Sequence, residues 1–116
     1  MEPTIFTNCT DDMKIVKDEI FGPVMSILKF SDTDEVIKRA NNSRYGLSGG
    51  VFSSSQRTCH HVAKNLQVGM VNINNYFQIG VQTPFGGYKQ SGVGREHSHC
   101  GVESFLESKT IIYDCN

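Results

Sequence analysis

Four histidines and four cysteines could bind a metal ion or act as nucleophiles. Cys59, His60 and His61 are consecutive in a predicted helix, where neighbouring side chains point about 100° apart, so the three cannot converge on one ion. The segment "HSHC" at 97–100 is compact, but no second cluster at zinc spacing accompanies it. We therefore expect no metal site, and we expect these histidines to be solvated or hydrogen-bonded.

The glycine-rich segment "GGYKQSGVGR", residues 86–95, has a composition typical of phosphate-binding loops. A Walker loop requires glycine followed directly by Lys and Ser/Thr, and the surroundings of Lys89 do not fit. A dinucleotide fingerprint requires three glycines after a strand, and His97 stands where the third would follow Gly92 and Gly94. The spacing favours a tight loop packed against neighbouring backbone.

Three further side chains are candidates for a site. Glu19 and Phe21 precede a Gly-Pro turn at a predicted strand entry, where open α/β folds bind ligands. A solvated carboxylate and a core aromatic are the alternatives. Glu96 could stabilise a helix start through the helix dipole, or could be a general base if burial raised its pKa. The residues alone leave both readings open.

Composition limits the class of protein. The 116 residues suffice for one domain, and a net charge of −1 with interspersed signs gives no reason to expect nucleic acid or an anionic membrane as partner. No apolar run is long enough to span a bilayer, and no secretory signal opens the chain. The cysteines form no CxxC pair, so we expect reduced thiols in a reducing compartment.

The hydrophobic pattern alternates strands with helices and predicts an α/β fold with parallel strands joined by right-handed crossovers. Ser31 or Thr33 could cap the first helix. Val36, Ile37 and Ala40 should form the apolar face of that helix, and Cys59, Val62, Ala63 and Leu66 that of the second. A short helix should turn Val102, Phe105 and Leu106 inward. The predicted strands are 3–6, 24–30, 47–53, 69–76 and 109–114, and the main helices are 31–42 and 55–66.

Several segments, in this order, resemble the aldehyde dehydrogenase superfamily, and its retinal, betaine and aminoaldehyde branch in particular. They are "EPTIFTN", "DEIFGPVMSILKF", "VIKRANNSRYGLSGGVF", "GMVNINNY", "PFGGYKQSGVGRE" and a closing "KT" before an apolar strand. The resemblance implies a partial open parallel sheet with crossover helices over residues 1–108, the C-terminal part of a catalytic domain. It implies that residues 109–116 form an oligomerisation strand, which would pair with another subunit or domain.

The resemblance also implies an activity. The family oxidises an aldehyde to a carboxylic acid with NAD or NADP, through a thioester on a cysteine that lies upstream of these segments. No cysteine here stands in that motif, so we expect this chain to be part of an oxidoreductase and inactive alone. A small-molecule aldehyde, a homo-oligomeric parent (dimer or tetramer) and a cytoplasmic or mitochondrial-matrix location are expected with it.

Particular residues acquire roles by the same resemblance. The cofactor would contact Glu19 at its ribose hydroxyls, and Phe21 and Leu47 at its nicotinamide. Glu96 would take part in a proton relay. The remaining roles are the aldehyde tunnel for Asn75, Ile79 and Phe85, and the subunit interface for Arg95 and Glu107.

Two departures leave other functions open. Asn72 stands where the family has a bulky apolar strand residue, and a buried asparagine requires partners. "REHSHCGVE", residues 95–103, replaces a segment that is usually small or contains glycine. The alternatives are therefore a non-catalytic oligomerisation or interaction module and a non-functional truncated product.

Overall fold

A computed structural model describes residues 1–115, and its β-structure consists of two pairs of short parallel strands. Strand β1 (Thr4–Phe6) pairs with β2 (Val24–Ser26), and β3 (Ser48–Val51) pairs with β4 (Met70–Ile73). The α/β class and the parallel pairing are thus as predicted. The two pairs form separate sheets: within the described residues, neither β1 nor β2 bonds to β3 or β4.

The strand predicted at 24–30 is shorter in the structure. Its only neighbour in the described chain is β1, which ends at Phe6. The last bonds between the two segments run from the Ile27 amide to the Phe6 carbonyl at 2.9 Å and from the Cys9 amide to the Ile27 carbonyl at 3.3 Å. Beyond that point the backbone lacks a neighbouring strand.

The helices follow the predicted order. They are α1 (Lys14–Lys17), which the sequence pattern did not indicate, α2 (Thr33–Asn41), α3 (Gln56–Asn65) and α4 (Ser98–Glu103), with a 3-10 turn at Lys89–Ser91. Asp32 caps α2, since its Oδ1 accepts from the amide of Glu35 at 2.9 Å. The prediction of Ser31 or Thr33 as the cap was wrong, because Asp32 has the extended backbone of a cap and its side chain makes the capping bond.

The core is small and lies mainly between α2 and α3. Ile37, Cys59 and Val62 are buried there, and Ala63 and Leu66 are half-buried, which confirms the apolar stripe predicted for α3. Ala40 is exposed, contrary to prediction, because its side of α2 borders an open groove. Hydrogen bonds also join the two helices. Asp34 Oδ1 lies 2.6 Å from His61 Nε2, and Asn41 Nδ2 donates to the Asn65 carbonyl oxygen at 2.7 Å.

The C-terminal part of the chain presents its apolar side chains to solvent. Val102, Phe105 and Leu106 are 60%, 89% and 65% exposed, so the inward packing predicted for them was wrong in this chain, where the described residues do not cover them. Residues 109–115 form no strand, as a strand needs a partner; position 116 lies outside the described residues. Pairing of 109–114 with another chain or domain stays a prediction. In the described range, the helices are all too short or too polar to cross a membrane.

Arg39 fastens α2 to the first sheet. Its guanidinium donates to both carboxylate oxygens of Asp11 at 2.9 and 3.0 Å, to Glu35 at 2.6 Å and to the Lys29 carbonyl at 2.7 Å. Asp11 follows β1 and Lys29 follows β2, so one side chain joins both strands to the helix. The hydrogen bond to Asp11 is the main reason why the pKa of the Arg39 guanidinium lies above its ordinary value. The hydrogen bond to Glu35 is the second reason.

Acid should weaken this cluster through Glu35. The Ser31 amide donates to its carboxylate, and Arg39 adds a second bond, so the pKa of Glu35 lies below its ordinary value of 4.5. A lowered folded-state pKa stabilises the fold above about pH 4.5, and that stabilisation is lost as pH falls through the folded-state value.

We therefore expect Glu35→Gln to lower the free energy of unfolding at pH 7 and to matter progressively less below pH 4.5. Urea unfolding of both proteins across that range measures the difference. Glu107→Gln, which removes a charge from an exposed side chain, is the charge-matched control. A Glu35→Gln effect that stays constant with pH would contradict the linkage.

Candidate functional site

Gly46, two residues before β3, anchors the glycine-rich loop. Its carbonyl accepts from the amides of Gly69 at 3.0 Å and Tyr88 at 2.8 Å, and its own amide donates to Ser91 Oγ at 2.8 Å. Gly46 is buried, and a Cβ there would lie 2.7 Å from the Gln67 carbonyl oxygen, so only glycine fits. The prediction that this loop packs tightly against neighbouring backbone is confirmed.

Further bonds hold the same loop in place. The Lys89 ammonium donates to the Asn41 carbonyl at 2.8 Å, at the end of α2. Arg95 donates through Nη1 to the Gly87 carbonyl at 3.0 Å, and its guanidinium lies 5.3 Å from the centre of the Tyr88 ring. Both cations are thus used to fix the loop backbone.

The fixed loop forms one wall of an open cavity of about 780 Å³. Leu47, Phe85, Arg95 and Glu96 line it, together with residues of α4. Phe85 and Glu96 face each other in an antiparallel bridge, in which each amide nitrogen donates to the other's carbonyl oxygen, at N to O distances of 2.9 and 2.7 Å. Side chains assigned to the cofactor, the tunnel, the interface and the relay therefore meet at one place.

Glu19 and Phe21 lie elsewhere. They line a smaller cavity of about 380 Å³ between α1 and β2, to which Leu47 does not contribute. Phe21 has a φ of 52° and is 92% exposed, so its ring projects from the turn before β2. The Glu19 carboxylate is exposed and has no hydrogen bond or ion pair within residues 1–115. In this chain, the three predicted cofactor residues do not meet in one cavity.

The loop after β4 carries the two other predicted tunnel residues. Asn75 is half-buried and donates to Gln78 Oε1 at 3.1 Å, and Ile79 is 45% exposed. Neither lines the cavity beside Phe85. Glu107, predicted at the interface, is fully outside the core and is exposed.

Strand β4 accommodates Asn72 without an unsatisfied amide. The side chain is half-buried, and its Nδ2 donates to Ser48 Oγ on β3 at 3.3 Å. The glycines of β3 leave room for side chains, because a Cβ at Gly50 would overlap the Tyr76 ring and one at Gly49 would lie 3.1 Å from Leu66 Cδ1.

All four cysteines are unpaired thiols in the described chain. Cys9 and Cys59 are buried, and the Sγ of Cys59 lies 3.6 Å from the Ser53 carbonyl oxygen. Neither of them lines the cavity beside Phe85.

Comparison with known proteins identifies the class. Residues 1–111 match the aldehyde dehydrogenase family, and the chain belongs to that family. An aldehyde dehydrogenase of Enchytraeus buchholzi is 52% identical over 111 residues, 96% of this chain. The 4-trimethylaminobutyraldehyde dehydrogenase of Rattus norvegicus is also 52% identical, over 98% of this chain.

Solved structures agree in fold. An NAD⁺ complex of an aldehyde dehydrogenase from Bacillus cereus covers 99% of this chain with a TM-score of 0.96 and 50% identity. A betaine aldehyde dehydrogenase from Staphylococcus aureus, also in complex with NAD⁺, covers 93% with a TM-score of 0.91 and 47% identity. The chain spans 22–23% of the length of these relatives and structures.

Proposed function

We propose that this chain supplies one wall of the active site of an enzyme that oxidises an aldehyde to a carboxylic acid with NAD or NADP. The family match over residues 1–111 carries the proposal. The nucleophilic cysteine and most of the dinucleotide-binding domain belong to parts of the family that this chain does not match. The chain alone is therefore inactive, and its residues act within a longer polypeptide.

The cofactor residues suit a dinucleotide. The free carboxylate of Glu19 has both oxygens available to accept from the vicinal hydroxyls of a ribose. The exposed ring of Phe21, next to it, offers an apolar face for a nicotinamide. When bound, the cofactor accepts hydride, and the role of Glu19 and Phe21 is to hold and orient it. Leu47 lies beside Phe85 and would border the nicotinamide from the substrate side.

The cavity beside Phe85 suits the aldehyde. Phe85 gives it an aromatic wall, and the exposed carboxylate of Glu96 is accessible to water while its backbone is fixed by the bridge to Phe85. Asn75 and Ile79 reach the same tunnel only when the loop at 74–83 is packed against the rest of the enzyme. An aldehyde that carries a quaternary ammonium group suits an aromatic and carboxylate lining, and betaine and trimethylaminobutyraldehyde dehydrogenases are among the relatives.

Assembly completes the proposal. Arg95, Glu107 and the segment 109–114 would contact a second subunit of a homo-oligomer in the cytoplasm or mitochondrial matrix. The exposure of Phe105, Leu106, Ile112 and Tyr113, at 65–89%, supports a covered position for this surface in the assembled enzyme.

A chimera tests the function directly. This chain would replace the matching 23% of the Bacillus cereus aldehyde dehydrogenase, to which it is 50% identical. We expect NAD⁺-dependent oxidation of betaine aldehyde by the chimera and none by the 116-residue chain. A folded, oligomeric chimera without aldehyde oxidation would refute the proposed role.

The same exposed surface favours one alternative, a non-catalytic module that associates with full-length subunits. Co-expression with a full-length relative followed by size-exclusion chromatography distinguishes the two functions. Elution of the chain apart from the relative rules the module out.

A further inference from the structure

Helix α4 brings three metal-binding side chains together on the surface. The imidazole of His99, the thiol of Cys100 and the carboxylate of Glu103 each place one ligand atom within 4.8 Å of the other two. The Cys100 Sγ is 3.8 Å from His99 Nε2. We propose that these three residues bind a divalent transition-metal ion of the zinc class.

The helical spacing explains why the three converge. Glu103 follows His99 by four residues and Cys100 by three, so it neighbours both of them on the helix surface. His99 and Cys100 are consecutive and would point apart on their own, and Glu103 stands between the two directions. The sequence lacks the second pair of Cys or His that zinc motifs show, so its pattern alone did not predict a metal site here.

The ligand types select the ion. Imidazole, thiolate and carboxylate together are ligands of zinc and its neighbours, whereas Mg²⁺ and Ca²⁺ take oxygen ligands. Tetrahedral bonds of about 2.0–2.3 Å place ligand atoms about 3.3–3.8 Å apart. The Cys100 to His99 distance already lies in that range. Small rotations of the exposed His99 and Glu103 side chains would bring the other pairs of ligand atoms to the same separation.

The site is local and leaves room for a fourth ligand. All three residues lie within five positions, so binding closes only short loops, and the entropic cost of closure is small. His99 and Glu103 are exposed, so water can complete the coordination. His97 is excluded, because its ring lies against Phe85, with the two ring centres 5.9 Å apart.

Titration of the 116-residue chain with Co²⁺ and Zn²⁺, in a thiol-free reductant, tests the site. We expect one ion per chain and a thiolate-to-cobalt charge-transfer absorption that Cys100→Ser abolishes. His99→Gln and Glu103→Gln should each weaken Zn²⁺ binding about tenfold or more, since even indirect partners of a metal contribute that much. Circular dichroism checks that each variant keeps the helix content of the parent.

Matched controls come from the same chain. Cys115→Ser removes an exposed thiol, and His97→Gln removes the neighbouring imidazole; both should bind as the parent does. X-ray absorption of the zinc-loaded parent, which needs no variant, should show a single sulfur neighbour. The proposal is overturned if the absorption survives in Cys100→Ser, if one ion bridges two chains, or if sulfur is absent from the zinc shell. These readouts do not depend on aldehyde oxidation.

Discussion

Replacement of Gly69 by alanine should strongly lower the free energy of unfolding. A Cβ at position 69 would overlap the carbonyl oxygen of Gly86 and would lie 2.8 Å from its carbonyl carbon. Both are backbone atoms in the loop that Gly46 holds, so they cannot rotate away. Either the loop moves or β4 does, and the Gly69 amide then loses its bond to the Gly46 carbonyl.

We expect a loss of about 3 kcal/mol, the upper end of what overpacking costs. The gain from a less flexible unfolded chain, about 0.4–1 kcal/mol, is too small to offset it. Urea unfolding measures the change. Limited trypsin digestion gives an independent readout, because a displaced loop exposes the peptide bonds after Lys89 and Arg95.

Gly22→Ala is the matched control. A Cβ at Gly22 would meet its nearest atoms, in Ile20 and Met1, at 3.7 Å, an ordinary van der Waals distance. It should change stability by no more than about 0.5 kcal/mol. If Gly69→Ala and Gly22→Ala have equal stability and equal trypsin sensitivity, the loop is not held at Gly46 as described.

Replacement of Glu19 should strongly affect how the enzyme uses its cofactor, a prediction that rests on the proposed function. In the active chimera, Glu19→Gln should raise the KM for NAD⁺ or slow hydride transfer, because an amide accepts from ribose hydroxyls more weakly than a carboxylate. Hydrogen bonds to a charged group contribute about 1.5–3 kcal/mol each, which corresponds to about tenfold to hundredfold in kcat/KM for the cofactor.

Steady-state and single-turnover kinetics at varied NAD⁺ separate binding from hydride transfer. Glu2→Gln, an exposed carboxylate at the start of the chain, is the control and should leave both unchanged. Unaltered kinetics in Glu19→Gln would show that Glu19 does not bind the cofactor. If the chimera is nevertheless active, the proposed reaction still holds. The two failures are therefore distinguishable.

Local features of the fold were predictable because they depend on a few consecutive residues. The apolar stripe of α3 and the charge distribution of α2 follow from helical periodicity and the helix dipole, and the structure has both. The cap of α2 was missed, because Ser31, Asp32 and Thr33 are all suitable by type. The structure identifies Asp32 by its extended backbone and by the bond that its side chain accepts from the Glu35 amide.

Features that depend on residues far apart in the chain were harder to predict from the sequence. Periodicity predicts a strand but not its partner, so the division into two sheets could not be read from the sequence. Exposure of Ala40 and Phe105 has the same origin, since an apolar pattern does not show whether this chain or another one covers it. The resemblance assigned Glu19, Phe21 and Leu47 to one cofactor, but periodicity could not indicate that they line separate cavities here.

The bonds of Gly46 also bear on how the chain is made. Its three partners, Gly69, Tyr88 and Ser91, all lie downstream of it. On the ribosome, Gly46 therefore emerges well before any of the groups that satisfy its amide and carbonyl. Its amide must stay hydrated until Ser91 has cleared the exit tunnel, since an unpaired buried amide is costly. The order of translation thus delays closure of this half of the molecule until the glycine-rich loop has been synthesised.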